Sequence, residues 1–210
     1  MDSEYLSTVF SVDGLDLVAL GAPTLSIPLW ALPEGWTAPI ELQILYAIAL
    51  RAEGPILEVG PWLGRSTAAI AAGIRDSGSA KIFDTIDFGL TSIPEWREKL
   101  NDDFSRSIDS DTIVRSIHAP GGTVALLLEN LRKLDLLGYV TSVIKGDFTE
   151  VPIRDRYGVI FCDTLHDENE VRKYCPKFNE LLMPGGWLIC DDVMTPKLGE
   201  IVKEYIIWIS

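Results

Sequence analysis

Cysteine is scarce in this chain of 210 residues: there are three, an odd number that makes no disulfide framework. Cys162 and Cys190 fall in apolar, strand-like runs and Cys175 in a helical one, so all three read as reduced packing residues. None has the short paired spacing of a zinc site. Histidine is scarcer still, limited to His118 and His166. Basic residues are outnumbered, 18 Lys and Arg against 31 Asp and Glu, for a net charge of −13. That balance argues against a nucleic-acid partner, whose phosphates binders neutralise with Lys and Arg. No apolar run reaches the roughly 18 residues of a membrane span, and no basic segment followed by an apolar core opens the chain. A cytoplasmic protein without a membrane partner is the expectation. What is present is ordinary globular composition, 47% hydrophobic and 23% charged, enough for one well-filled core.

Strand and helix patterns alternate from about residue 37 onward. Thr37-Ala38-Pro39 reads as a helix cap with proline in the first turn, followed by Ile40, Ile44, Leu45 and Ile48 at helical spacing until Gly54-Pro55. Apolar runs predict strands at 56–59, 81–87, 140–145, 158–162 and 187–190. Helices are expected at about 66–74, along Val124, Leu127, Leu128, Leu131 and Leu134, and over 168–183, where Pro176 should kink the element. Residues 89–120 read as irregular, with a short helix near Trp96–Phe104, and Met183-Pro-Gly-Gly186 as a turn. This alternation requires a mostly parallel, Rossmann-like doubly wound α/β sheet with helices on both faces. A single domain is expected, with residues 1–36 as an N-terminal segment and 37–210 as the ligand-binding body.

One stretch carries chemistry by its layout. Ile56-Leu-Glu-Val-Gly-Pro-Trp-Leu-Gly-Arg-Ser-Thr67 reads as a buried strand ending in an acid, a glycine turn and a helix start. Gly60 and Gly64 remove side chains where a ligand or the turn itself needs room, and Ser66 or Thr67 can cap the helix. Such a turn can cradle a nucleotide-like ligand on a helix N-terminus. The dinucleotide fingerprint is absent, since its third glycine and spacing are missing.

The order acid-x-Gly-x-x-x-Gly resembles motif I of class I S-adenosylmethionine (SAM) dependent methyltransferases, with Trp62 where many members have a middle glycine. Gly-Trp-Thr-Ala-Pro39, the Trp62-x-Gly-Arg-Ser-Thr67 turn and the Met183-Pro-Gly-Gly186 turn are similar to the macrocin and cephalosporin-type small-molecule O-methyltransferases. The resemblance spans roughly residues 37–195 and implies SAM as cofactor, bound across the carboxyl ends of strands one to four. Only 18 residues follow Asp192, too few for the helix and antiparallel hairpin that usually complete such a sheet. Ser7–Val12, Asp13-Gly14 and Leu15–Leu20 form a hairpin signal near the N-terminus. That hairpin could cover the sheet edge of its own or a partner subunit in a homo-oligomer; a mobile lid, or a shortened chain, is the alternative.

Glu58 could face the cationic end of SAM or organise the glycine turn. Asp87 ends the second strand, where an acid accepts the ribose hydroxyls in nucleotide folds, and is preferred to mid-strand Asp84. In the resembling family an acid at Asp147 receives the adenine amino group, and Phe148 could pack on the ring; an Asx turn with a core phenylalanine is the alternative. Trp62 either shapes the methionine end of the site or simply packs. Trp30, Trp36, Trp62 and residues 89–120 either wall an acceptor pocket or fill core.

Asp163, Asp191 and Asp192 follow neighbouring strands and should converge at one rim, where carboxylates repel unless a cation or protons intervene. This is similar to metal-dependent O-methyltransferases and implies Mg²⁺ on these three acids. His166, beside Asp163, could accept a substrate proton near neutral pH. The expected function is methyl transfer from SAM to a small-molecule hydroxyl. The alternatives are a metal-free O- or N-methyltransferase with His166 as base, and a SAM-fold binding protein that transfers nothing.

Overall fold

The computed structural model describes residues 23–100, 111–191, 193 and 196–205; the expected N-terminal hairpin and Asp192 lie outside them. Among the described residues five strands form one sheet in the order β3-β2-β1-β4-β5, every pair parallel. In chain order they are β1 (Ile56–Val59), β2 (Phe83–Asp87), β3 (Ser142–Lys145), β4 (Tyr157–Cys162) and β5 (Leu182–Cys190). The helices are α1 (Pro39–Arg51), α2 (Arg65–Ser77), α3 (Ile93–Lys99), α4 (Asp111–Ile117), α5 (Gly122–Lys133), α6 (Glu168–Leu181) and α7 (Pro196–Tyr205). Among the described residues no helix is long and apolar enough to cross a membrane.

Every residue of β1 and β4 is buried, which explains their unbroken apolar runs: a central parallel strand has no wet face. Residues of α1, α2 and α5 fill the core on one face, among them Leu45, Ile70, Leu127 and Leu131. On the other face α6 and α7 bury Val171, Phe178, Leu198 and Ile201 against Leu57, Ile160 and Cys162. A third, small cluster joins Leu90, Trp96, Ile113 and Ile117 from the segment after β2.

The structure adds local detail at four places. Within Thr37-Ala38-Pro39 the cap of α1 is Ala38, whose N–H donates to Glu41 at 2.5 Å, with Pro39 in the first turn as expected. Among the described residues of 89–120, expected as irregular with one short helix near Trp96–Phe104, there are two short helices, α3 and α4; residues 101–104 of the expected helix lie outside the described residues. Pro176 sits inside α6, as its position in the expected helix implies. Met183-Pro-Gly-Gly186 is a bulge within β5 rather than a turn before it: Leu182 pairs with Tyr157 and Trp187 with Val159, leaving the residues between looped out. Cys162 and Cys175 are buried, Cys190 is half-buried, and all three thiols are free.

The topology fixes where a ligand can bind. After β3 the chain returns to place β4 on the other side of β1, so the strand order reverses between β1 and β4. In open α/β sheets the crevice at the carboxyl ends of strands meeting at such a reversal is the binding position.

Candidate functional site

Gly60 leaves β1 at this reversal with φ +91°, a backbone conformation that side chains resist. A Cβ there would lie 2.4 Å from the Asp163 carbonyl oxygen, which leaves β4. The missing side chain is therefore needed for the two strand exits to meet. Gly64, at φ +93°, is the N-cap of α2 and makes no side-chain cap.

The hydroxyls expected to cap α2 do something else. Glu58 is fully buried on β1, and its carboxylate accepts from Ser66 Oγ at 2.7 Å, Thr67 Oγ1 at 2.7 Å and Thr85 Oγ1 at 2.9 Å. Ser66 and Thr67 are thus drawn inward by an acid that needs compensation, as a buried carboxylate does. Burial pushes the Glu58 carboxyl above its ordinary range, and the three hydroxyl donors oppose that shift. Glu58 organises the turn, one of its two sequence-based readings.

Asp87 sits at the end of β2. Its Oδ1 accepts from the Gly89 N–H at 2.6 Å and from Thr123 Oγ1 at 3.3 Å. The Trp62 backbone N–H lies close enough to favour the charged carboxylate. Burial raises this carboxyl, with those donors pulling the other way. The acid therefore joins the exit of β2 to the start of α5. Asp84 lies on the other face of β2, where Oδ2 accepts from Arg154 Nε at 2.7 Å and Tyr157 Oη at 3.0 Å, both near the start of β4. It belongs to the opposite end of the sheet.

Asp147 and Phe148 are placed as the alternative reading had them. Asp147 Oδ1 accepts from the Thr149 N–H and hydroxyl, and Oδ2 pairs with Lys173 Nζ at 2.7 Å. Burial works against the charge, but those partners hold its carboxyl below the ordinary value. Phe148 is buried against Phe178, with ring centroids 4.7 Å apart, and Lys177 Nζ stands 5.0 Å from its ring. Its ring belongs to the core.

At the rim of β4 and β5, Asp191 donates its N–H to the Cys162 carbonyl at 2.8 Å, and Asp163 donates its own to Val59 at 2.9 Å. The two acids thus leave adjacent strands, as their positions imply. Among the described residues no three His, Cys, Asp or Glu side chains form a metal-holding group, and the third expected ligand, Asp192, lies outside them. His166 lies just before α6. Its Nδ1 is 3.0 Å from Glu170 Oε2, and its backbone N–H donates to the same oxygen at 2.8 Å. Glu170 was not singled out from sequence; an acid four residues after a histidine, in the first turn of a helix capped by Asp167, was the available signal. Thr85 and Thr123 were missed as well. Thr85 could have been found by facing Glu58 across the strand pair, whereas Thr123, 36 residues from Asp87, had no local signal.

A family model described as a methyltransferase domain matches residues 57–193, from the second residue of β1 through the glycine turn, Asp87, Asp147 and His166 to the acids after β4 and β5. Among solved structures, the chain is similar to the O-methyltransferase NovP, with 19% identity, TM-score 0.59, and 82% of this chain and 74% of that one covered. A putative O-methyltransferase from Klebsiella pneumoniae matches at 18% identity and TM-score 0.52, covering 97% and 81%. TomG from Streptomyces achromogenes, an O-methyltransferase of tomaymycin synthesis solved with SAM, matches at 16% identity and TM-score 0.50, covering 96% and 80%. At these identities the likeness is one of fold. No protein of curated function matches significantly.

Proposed function

The chain belongs to the methyltransferase-domain family and has the class I SAM-dependent methyltransferase fold, and from that premise we propose that it methylates a hydroxyl of a small molecule. The observation that carries the reading is Asp87, a half-buried acid at the end of β2 beside the strand-order reversal, held by the Gly89 N–H and the Thr123 hydroxyl. A carboxylate in that position accepts ribose hydroxyls. The turn 60–64 and the N-terminus of α2 would face the methionine end, with Glu58, Ser66 and Thr67 holding the turn from beneath. Asp147 would meet the adenine amino group from its Asx turn.

Bound SAM supplies an electrophilic methyl on a sulfonium. The chain's own work is to align the acceptor oxygen with that carbon, exclude water and remove the hydroxyl proton. As the oxygen–carbon bond forms, the carbon–sulfur bond breaks and its electron pair stays on sulfur. His166 suits the proton. A Nδ1–H held by Glu170 puts the lone pair of the neutral ring at Nε2, where it can accept from the hydroxyl. Asp163, at the exit of β4, would orient the acceptor.

A second reading rests on Asp163 and Asp191 leaving adjacent strands: with Asp192 they would hold Mg²⁺, which would bind the acceptor oxygen as a hard ligand. Calorimetry with S-adenosylhomocysteine, followed by turnover assays with and without a chelator, tests all of this. Absence of binding to the folded protein overturns the methyltransferase reading. Turnover that survives the chelator but is lost in His166→Ala selects the metal-free form, and the reverse pattern selects the metal. Binding without turnover across hydroxyl and amine acceptors leaves a binding protein.

A further inference from the structure

Lys145 closes β3 directly across from Asp87, its register partner at the end of β2. Such partners lie about 4.8 Å apart, with their side chains on one face of the sheet. Lys145 is exposed, yet its stem does not run straight out into water. A Cβ built on Gly89 would lie 2.7 Å from the lysine Cδ, 2.8 Å from its Cγ and 2.9 Å from its Cε. The methylenes are therefore laid over Gly89, where the backbone turns at φ +66°. A lysine that packs its stem in this way keeps its charged end in water.

Gly89 is also the residue whose N–H donates to Asp87 Oδ1 at 2.6 Å. The lysine stem thus lies on the turn that orients the acid. Its charge acts on two carboxylates. It favours the ionised form of Asp87, and on Glu95 of α3 it adds to the stronger pull of the Thr91 N–H and hydroxyl.

The surroundings of Asp87 make that charge count. Burial works against its ionisation, and the neighbouring acid on β1 is Glu58, raised by its own burial and by Asp87. From α5 comes only the neutral Thr123 hydroxyl, and Asp147, two residues past Lys145, is paired with Lys173. The Gly89 N–H, the Thr123 hydroxyl and the Trp62 N–H favour the carboxylate as dipoles; Lys145 adds a full positive charge. Only an ionised acid offers both oxygens as acceptors.

We propose that Lys145 is a positioning residue of the cofactor site, its stem fixing the Gly89 turn and its ammonium balancing the Asp87 carboxylate that accepts the ribose hydroxyls. It acts through Gly89 and Asp87 rather than by touching the cofactor. The assignment rests on the methyltransferase reading above for the identity of the ligand. The coupling of Lys145 to Asp87 belongs to the free protein, so it is measurable without any ligand.

Lys145→Met keeps the stem and removes the charge, Lys145→Ala removes both, and Lys145→Arg restores the charge. Circular dichroism is the folding control. Asp87 is first titrated in the ligand-free proteins by carboxyl-carbon NMR, its signal assigned with Asp87→Asn. It should lose its proton at a higher pH in Lys145→Met than in the wild type or Lys145→Arg. Calorimetry with S-adenosylhomocysteine from about pH 5 to pH 8 is the second measurement. Lys145→Met should bind about two- to fivefold more weakly at the acid end, the range of an exposed charge pair, and like the wild type at the basic end. Lys145→Ala should bind more weakly at both ends. An Asp87 titration that does not move in Lys145→Met overturns the proposal. A loss of affinity in Lys145→Met that is equal at every pH also overturns it and makes Lys145 a direct ligand contact. Failure of the folded wild type to bind S-adenosylhomocysteine at any pH is a different result: it overturns the methyltransferase reading, and the cofactor role of Lys145 with it.

Discussion

Glu58 and Thr85 face each other across neighbouring strands, and the Thr85 hydroxyl donates at 2.9 Å to the same carboxylate oxygen that takes the Thr67 proton. With Ser66 on the other oxygen, one buried acid fastens β1, β2 and the first turn of α2 together.

Glu58→Ala strands three buried hydroxyls and opens a cavity. A loss of about 2–4 kcal/mol is expected by denaturant titration, with Glu58→Gln costing less because its carbonyl still accepts. The pH dependence has a definite sign. Burial raises the folded carboxyl above its unfolded value, so the folded state binds the proton more tightly. Its contribution is fully present below the unfolded value, near the ordinary 4.5, and is lost as pH rises through the raised one. Glu58→Gln should remove that decline; an unchanged stability profile would refute the account.

Asp87 and Asp84 separate binding from folding. Asp87→Ala should weaken S-adenosylhomocysteine by one to two orders of magnitude, about 1.5–3 kcal/mol for hydrogen bonds to a charged group. Asp84→Ala removes the partner of Tyr157 and Arg154 at the far end of the sheet, so it should lower stability with little effect on that affinity. Arg154 is substantially exposed, so water limits the cost. Equal effects on affinity from both variants would contradict the assignment.

Gly60→Val places a branched side chain where even a Cβ would meet the Asp163 carbonyl at 2.4 Å, on a backbone at φ +91°. Thermal unfolding should show a drop of several degrees or failure to fold, because the β1 and β4 exits must separate. A variant with wild-type stability would show that the exits are not in contact.

His166→Ala should lower turnover by about 10²–10⁴, the usual contribution of a positioned base, while leaving cofactor affinity intact. Glu170→Gln should cost less and displace the pH–rate profile toward lower pH, since a neutral partner supports the protonated ring less well than a carboxylate. A Glu170→Gln profile that does not move would limit Glu170 to a structural contact.

The element order was legible because buried parallel strands leave unbroken apolar runs, and helices on a sheet leave the spacing seen at Leu127 and Leu131. The place of Asp87 at the carboxyl end of β2 was legible because the apolar run stops there. What could not be read was which of several partners a polar group would choose. Ser66 and Thr67 had helix N–H groups within local reach, yet a carboxylate on the preceding strand, eight and nine residues back, took both hydroxyls. Asp147 drew its cation from Lys173, 26 residues along the chain. Met183-Pro-Gly-Gly186 carried every local sign of a turn, and only pairing on both sides of it with β4 makes it part of a strand.

The bulge of β5 gives the protein a natural attachment point. Met183, Pro184 and Gly185 are exposed, and nothing lies within 4 Å of the Cβ position at Gly185. They project near the amino end of β4, while the acids after β4 and β5 stand at its carboxyl end. A fluorophore or short peptide tag inserted between Pro184 and Gly185 would sit a full strand length from the reaction centre, reporting on the fold without entering the crevice.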